Sequence, residues 1–261
     1  MNILLSGGSS GIGNAVLKYF KEKGINVYSL DIKDLDEENV ISYKVDLTDV
    51  NALIRIKEEF KKENIRFDAI VNVAGMFIID SFIEVSDEEL KRLIDVNLMA
   101  CINLNKIFFE LLNEKGRIII TSSEVSTLDP LPFNGIYSVS KCALDAYSQA
   151  LRQELNLLNY KVITIRPGAF NTNLSRSSLV QTRELMDKTK LYSKQSHKFY
   201  NLVKKFMGKP SDPKKICNIY YKALTKKRPK LVYKKHINKL LVLLSVLPKR
   251  MQLFIIKRLL K

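Results

Sequence analysis

The chain has 261 residues, is 46% hydrophobic and contains three cysteines and two histidines, enough apolar content for a packed core and too much for wholesale disorder. Cys101, Cys142 and Cys217 show no metal-ligand spacing and read as reduced, buried thiols, while His197 and His236 stand without a Cys or acidic cluster, which weighs against zinc-hydrolase and Ser-His-Asp chemistry. The net charge of +16 sits in the last third: residues 1–182 hold 20 Lys+Arg against 24 Asp+Glu, and residues 183–261 hold 23 against 3, so any attraction to acidic ligands, anionic lipid or nucleic acid belongs there.

Residues 3 to 6 read as a first buried strand, which leaves no room for a cleaved leader. No run of about 18 apolar residues predicts a spanning helix. The chain therefore reads as cytoplasmic, with peripheral membrane contact left open. Gly7, Gly11 and Gly13 follow the strand at once, and Ile12, Ala15, Val16, Tyr19 and Phe20 then repeat at helical spacing until Gly24. A second strand over 25–30 ends in Asp31, and a third over 40–45 ends in Asp46. Leu53, Ile56 and Phe60 mark the next helix. A fourth strand over 68–73 breaks at Ala74-Gly75. Ser86 and Glu89 form a capping-box pattern that opens a helical region through about residue 112, with Asn97 inside it. A fifth strand is predicted over 117–121, a long helix over 134–158 with an apolar stripe at Leu144, Tyr147, Leu151, Leu155 and Leu158, and a sixth strand over 161–166.

Strands alternating with helices imply one α/β domain, a Rossmann-like doubly wound parallel sheet of about seven strands with helices on both faces. The polar stretch 169–208 reads as an irregular substrate lid, which Phe170, Leu174, Leu179 and Leu185 could line. A helix over 212–224 and a strand over 230–233 complete the catalytic unit, 1–233. Residues 234–261 read as a tail of two short basic, apolar helices. This tail packs over the lid, lies on an anionic membrane surface or is a plain solvated surface; no base-reading motif supports nucleic acid.

Three features carry chemistry. A Gly-rich turn between a strand and a helix offers backbone N–H groups and a positive helix end to a phosphate. Asp31, eighteen residues past Gly13, can accept from a ribose diol and repel a 2′-phosphate, favouring NAD(H). The nearby Lys33 keeps NADP(H) possible. Asp46 could bind an adenine amino group or simply cap its turn. Tyr137 and Lys141, four residues apart, share a helix face, and with the Ser122-Ser123 pair they make a proton-transfer site that needs neither His nor metal.

Together these segments resemble the short-chain dehydrogenase/reductase family. The loop matches that family's T-G-x3-G-x-G with Ser6 in place of Thr. Asn72-Val73-Ala74-Gly75 resembles its N-N-A-G with Val73 departing from the pattern. Asn97 stands at its helix Asn, Ser123, Tyr137 and Lys141 at its Ser and Y-x3-K, and Pro167-Gly168 with Thr172 at its P-G-x3-T. A softer similarity, through Ser122-Ser123-Glu124, the approach 131–135 and the tail, is to steroid and retinol dehydrogenases.

The resemblance implies an NAD(P)(H)-dependent oxidoreductase that interconverts an alcohol and a carbonyl. Tyr137 would be the general acid/base, its pKa lowered by Lys141 together with the positive nicotinamide; Ser123, chosen over Ser122 as the second of the pair, would hold the substrate oxygen; Asn97 would help a water-linked proton relay. The implied cofactor contacts are Gly7, Ser9, Ser10, Gly11, Ile12, Gly13, Asp31, Asp46, Leu47, Asn72, Ala74, Gly75, Tyr137, Lys141, Pro167, Gly168 and Thr172. The implied partners are a small alcohol or carbonyl, lipophilic if the lid reading holds, and a second copy of the chain in a homodimer or homotetramer. The rivals are a non-catalytic dinucleotide-binding sensor or scaffold and an epimerase or dehydratase.

Overall fold

The computed structural model describes all residues except 36, 38–39 and 207–209, and all side chains in the remaining elements but those of Leu174 and Phe206. Its strands β1 (Asn2–Ser6), β2 (Asn26–Asp31), β3 (Ile41–Lys44), β4 (Phe67–Asn72), β5 (Leu112–Thr121), β6 (Lys161–Pro167) and β7 (Val232–Lys235) form one parallel sheet in the order β3-β2-β1-β4-β5-β6-β7. The order reverses direction at β1. The crevice beyond the carboxyl ends of β1 and β4 is therefore where a doubly wound sheet takes a ligand.

Alternation along β1 assigns its side chains to two layers. Ile3 and Leu5 join Val16, Leu17 and Phe20 of α1 (Gly11–Glu22) and Ile216, Tyr220 and Leu224 of α8 (Lys214–Thr225). Leu4 faces the other way, into a cluster with Leu53 and Phe60 of α2 (Val50–Lys62), Leu104 and Phe108 of α4 (Ala100–Phe108), and Leu144 and Leu155 of α5 (Gly135–Asn156). There Phe60 meets Tyr28 and Phe67 edge-on, with ring centroids 5.5 and 5.3 Å away; truncating so buried a ring costs about 3–5 kcal/mol.

The chain departs from the sequence expectations at several places. The predicted lid is not irregular: α6 (Asn173–Lys188) and α7 (Ser193–Phe206) fill it. Thr172 begins α6 with a reciprocal capping box, its hydroxyl accepting from the Ser175 N–H while the Ser175 hydroxyl accepts from the Thr172 N–H. The pattern at Ser86 is realised on one side only, Ser86 accepting from the Glu89 N–H at 3.2 Å at the start of α3 (Asp87–Ile94). β5 begins at Leu112 rather than 117, because Leu112 bridges Phe67 before an irregular loop through Lys115 (φ 59°) restores the register at Ala69↔Arg117. β7 lies two residues later than predicted, where Val232 to Lys235 pair with Thr164 to Pro167.

Two further helices, α9 (Lys239–Ser245) and α10 (Lys249–Leu260), follow β7. α10 packs with the lid. Leu260 shares an apolar cluster with Ile79, Phe133, Leu185 and Phe199, flanked by Tyr192, Leu202 and Ile256. Gln181 on α6 fastens this assembly to the segment after β4, accepting from the Ile79 N–H at 3.0 Å and donating to the Phe77 carbonyl at 2.9 Å.

Candidate active site

A cleft of about 940 Å³ opens at the carboxyl edge of the sheet, running from the Gly loop past Tyr137 to the lid and tail. The loop is built by close approach. A Cβ on Gly13 would sit 1.9 Å from the Gly7 carbonyl oxygen, and one on Gly7, which has φ 79°, would sit 2.7 Å from the Ala74 backbone. Ser6 supports the turn from beneath, accepting from the N–H groups of Val73 and Ala74 at 3.2 and 3.4 Å; its hydroxyl thus takes the place of the expected Thr. Ser10 is the N-cap of α1 but its side chain makes no cap bond. The first-turn N–H groups of α1 thus have no side-chain acceptor, the arrangement that receives a phosphate. This fits a dinucleotide.

Asp31 is buried at the end of β2. It accepts from the Ser9 N–H at 2.9 Å and the Lys33 N–H at 3.1 Å, which fixes the carboxylate beside the loop on the cleft wall. Asp46 also lines the cleft, with Leu47, and accepts from the Thr48 N–H and hydroxyl and from Arg92. Burial pushes its pKa up, but the Thr48 and Arg92 hydrogen bonds outweigh that and hold it below the ordinary carboxylate value. Its turn-capping reading is thus realised in the hydrogen bonds. Ser9, Ser10, Gly11, Ile12, Ala74, Gly75, Pro167, Gly168 and Thr172 all line the cleft. Thr172 faces the loop, its side-chain carbons 3.1 Å from where a Cβ on Gly11 would be.

Asn72 does not reach the cleft. Its side chain turns to α4, donating to Asn105 at 2.9 Å, because position 72 is the last paired residue of β4 and points into the helix layer. Asn97 is likewise held by protein partners. It lies in a π-helical turn (Asp95–Met99), and its side chain accepts from the Met76 N–H at 2.8 Å and donates to the Met76 carbonyl and the Ser140 hydroxyl at 3.0 and 2.9 Å. It braces α5 against the segment that follows β4 at Met76.

At the cleft centre, α5 brings Tyr137 and Lys141 to the end of β5. They are 8% and 4% exposed. The Ser123 hydroxyl accepts from the Val125 N–H at 3.4 Å and acts to lower the pKa of the Tyr137 phenol, whereas the Ser122 hydroxyl donates backwards to the Lys141 carbonyl at 3.3 Å; of the adjacent serines, Ser123 is the one that acts on the phenol. Lys141 Nζ lies 5.8 Å from the Tyr137 ring centre and 3.4 Å from the Thr121 carbonyl oxygen. Burial pushes the phenol up to about 12, against the Ser123 hydrogen bond and with the Glu124 charge adding to the rise. Burial pushes the Lys141 ammonium the other way, down to about 8. Without the nicotinamide charge that the sequence reading invokes beside Lys141, burial dominates and the phenol stays protonated.

The sequence reading missed six contributors. Phe77 stacks edge-on against Tyr137 with centroids 4.8 Å apart. Arg92 lines the cleft and anchors Asp46. Glu124, whose pKa burial raises, lies on the cleft wall beside Ser123 and accepts from the Asn238 N–H; its signal was a charged residue directly after the serine pair. From α7, Phe199, Leu202 and Val203 line the apolar end. Of the residues expected to line the lid, Phe170 does so, Leu185 packs behind it, Leu179 is half-buried away from the cleft, and the Leu174 side chain lies outside the described set.

The model of the short chain dehydrogenase family matches residues 1–182. The chain belongs to that family. As a member it is an oxidoreductase that uses an NAD(P) cofactor to interconvert an alcohol and a carbonyl, and the sensor or scaffold reading is not favoured. A 3-ketodihydrosphingosine reductase of Bacteroides thetaiotaomicron is 28% identical over 87% of this chain and 84% of its own. An NADPH-dependent 1-acyldihydroxyacetone phosphate reductase of Schizosaccharomyces pombe is 31% identical over 68% of this chain and 62% of its own length. Estradiol 17-beta-dehydrogenase 2 of Mus musculus is 29% identical over 71% of this chain and 53% of its own. Among solved structures, a short chain dehydrogenase family protein from Francisella tularensis has a TM-score of 0.74 at 25% identity, covering 89% of this chain and 96% of its own. A 4-hydroxyisoleucine dehydrogenase complexed with NADH shares the fold at a TM-score of 0.70 and 23% identity, covering 91% and 97%.

Proposed function

We propose that the protein reduces or oxidises a lipophilic ketone–alcohol pair, with Tyr137 as the proton-transferring group. The observation that carries this reading is the juxtaposition of Tyr137, Ser123 and Lys141 at the junction of a Gly-loop crevice and an apolar compartment. A nicotinamide dinucleotide, when bound, supplies the hydride. The loop 7–13 would hold its phosphates, Asp31 its ribose diol, Thr172 and Lys141 its nicotinamide end. Asp31 on the wall favours NAD(H); NADP(H) would bring a 2′-phosphate towards that carboxylate.

Tyr137 Oη holds a proton at neutral pH, so its resting state is that of an acid for carbonyl reduction. Ser123 Oγ would donate to the same substrate oxygen and stabilise charge developing there. In the reverse direction the phenol must lose its proton, and the buried Lys141 cation is the group placed to stabilise the phenolate. The apolar side chains beyond Phe77 favour a hydrocarbon body, and the names of the two reductase relatives point the same way. Self-association through the exposed faces of the long helices remains the family expectation.

The test is a screen of long-chain ketones and alcohols with NADH, NADPH and the oxidised forms, followed at the absorbance of the reduced cofactor, with Tyr137→Phe beside wild type. The variant should lose about 10²- to 10⁴-fold in turnover and keep its NADH affinity. Undiminished turnover in Tyr137→Phe would refute the mechanism.

A further inference from the structure

The tail helices have two functional faces. Inward, Leu241 and Leu244 of α9 and Ile256 and Leu260 of α10 line the apolar end of the cleft. Their seating is specific. The Glu124 carboxylate accepts from the Asn238 N–H at the start of α9, and Asp129 accepts from Gln252 and pairs with Lys249. The tail is thus a wall of the pocket, held by the loop that carries Ser123.

Outward, the same two helices leave large apolar side chains in solvent. Leu243 is 60% exposed, Val246 72%, Leu253 68% and Phe254 63%. Lys239, Arg250, Lys257 and Arg258 are exposed among them, and no ion pair neutralises these four among the described residues. From residue 239 to 261 the chain has six Lys or Arg and no Asp or Glu. Apolar anchors interleaved with unpaired cations match the chemistry of an anionic bilayer interface, where hydrocarbon enters the acyl boundary and cations meet headgroups. The cleft reaches this surface: Leu240 and Leu259 border the cleft yet are 52% and 51% exposed.

We propose that α9 and α10 dock the protein on an anionic lipid surface, with the cleft mouth at Leu240 and Leu259 turned to the bilayer, so that substrate enters from the membrane. This rests on the lipophilic-substrate reading for its purpose, though not for its test. The packing and membrane expectations for the tail are then two sides of one element. No helix among the described residues is long and apolar enough to cross a membrane, so the contact is made along the surface.

The chain has no tryptophan, and Phe254→Trp therefore installs a single reporter at an exposed site. The full-length variant is mixed with vesicles of phosphatidylcholine alone or with phosphatidylglycerol. Sedimentation with the anionic vesicles only, a blue-shifted emission and quenching by brominated acyl chains are expected. Arg250→Glu with Arg258→Glu should lower the partition coefficient by about a hundredfold or more. Leu243→Glu should also release the protein. NADH binding, which involves none of these positions, checks that each variant is folded. Binding to neither vesicle, equal binding to both, unshifted emission on binding, or full binding by the charge-reversed variant overturns the proposal. So does a dimer in sedimentation velocity that Leu243→Glu dissociates without any vesicle binding, which would give this face to a second copy. Vesicle binding without turnover of any lipophilic ketone would sink the substrate reading and leave docking standing; turnover of detergent-dispersed ketone without vesicle binding would do the opposite.

Discussion

Lys141→Met keeps the length and apolar body of a buried side chain and removes its charge. Burial lowers the ammonium's pKa from 10.5 to about 8; at about 1.4 kcal/mol per pKa unit, keeping this cation folded at neutral pH costs roughly 3 kcal/mol. The substitution also loses the long hydrogen bond to the Thr121 carbonyl, 3.4 Å, worth about 1 kcal/mol. The variant should therefore be about 2 kcal/mol more stable than wild type at pH 7, while its turnover collapses. The folded pKa lies below the unfolded one, so between pH 8 and 10.5 the unfolded wild-type chain binds more protons and wild-type stability rises through that window. The advantage of the variant should shrink across the same range and turn into a deficit of about 1 kcal/mol above it. Urea unfolding followed by circular dichroism at pH 7 and about pH 10 measures both quantities, and taking the difference between the proteins cancels the other titrating groups. A variant no more stable at pH 7, or an advantage that does not change with pH, would refute the assignment of a charged, desolvated Lys141.

Three further outcomes follow from individual contacts. Asp31→Ala removes the carboxylate beside Ser9 and should shift the NAD(H)-over-NADP(H) ratio of kcat/KM by about tenfold or more towards NADP(H); an unchanged ratio means that Asp31 is not the selector. Gly13→Ala drives a methyl to within 1.9 Å of the Gly7 carbonyl, so NADH titration should show lost affinity even in a variant that keeps its helix content. Lys188 pairs at 2.6 Å with Asp80, whose side chain is fully buried; Lys188→Ala strands that carboxylate and should cost about 2 kcal/mol in chemical denaturation, a loss that Asp80→Asn in the same chain should largely recover.

The sheet and the Gly loop were legible because their causes are local. Runs such as Ile118 to Ile120 have one stable fate, a strand buried on both faces, and Gly7, Gly11 and Gly13 announce a backbone approach that a side chain would block. The lid helices were not legible. α6 and α7 bury Ser178, Thr182, Leu185, Ser196 and Phe199, of which only two are apolar, so their periodicity is faint against a polar background, and the capping pair Thr172 and Ser175 carries no apolar signal. The site split in the same way. Tyr137, Lys141 and Ser123 meet as their spacing predicts, whereas the directions of the Asn72 and Asn97 side chains depend on Asn105, Met76 and Ser140, partners that only the packed fold brings close. The pKa of Tyr137 is likewise set by the depth of burial, which no spacing encodes.

The pairing of β1 with β4, Ser6 opposite Asn72, also orders events in time. The loop 7–13 leans on Ala74 and on Ser6 bonds to Val73 and Ala74. A chain growing from its first residue cannot complete the turn until those later residues have been made. β1 waits for a neighbour more than sixty positions away, and closing so long a segment is slow relative to helix formation. During synthesis α1 and β2 can form early, but the phosphate cradle becomes rigid only when β4 docks. Cofactor present at that moment would bind the docked state alone and draw folding forward.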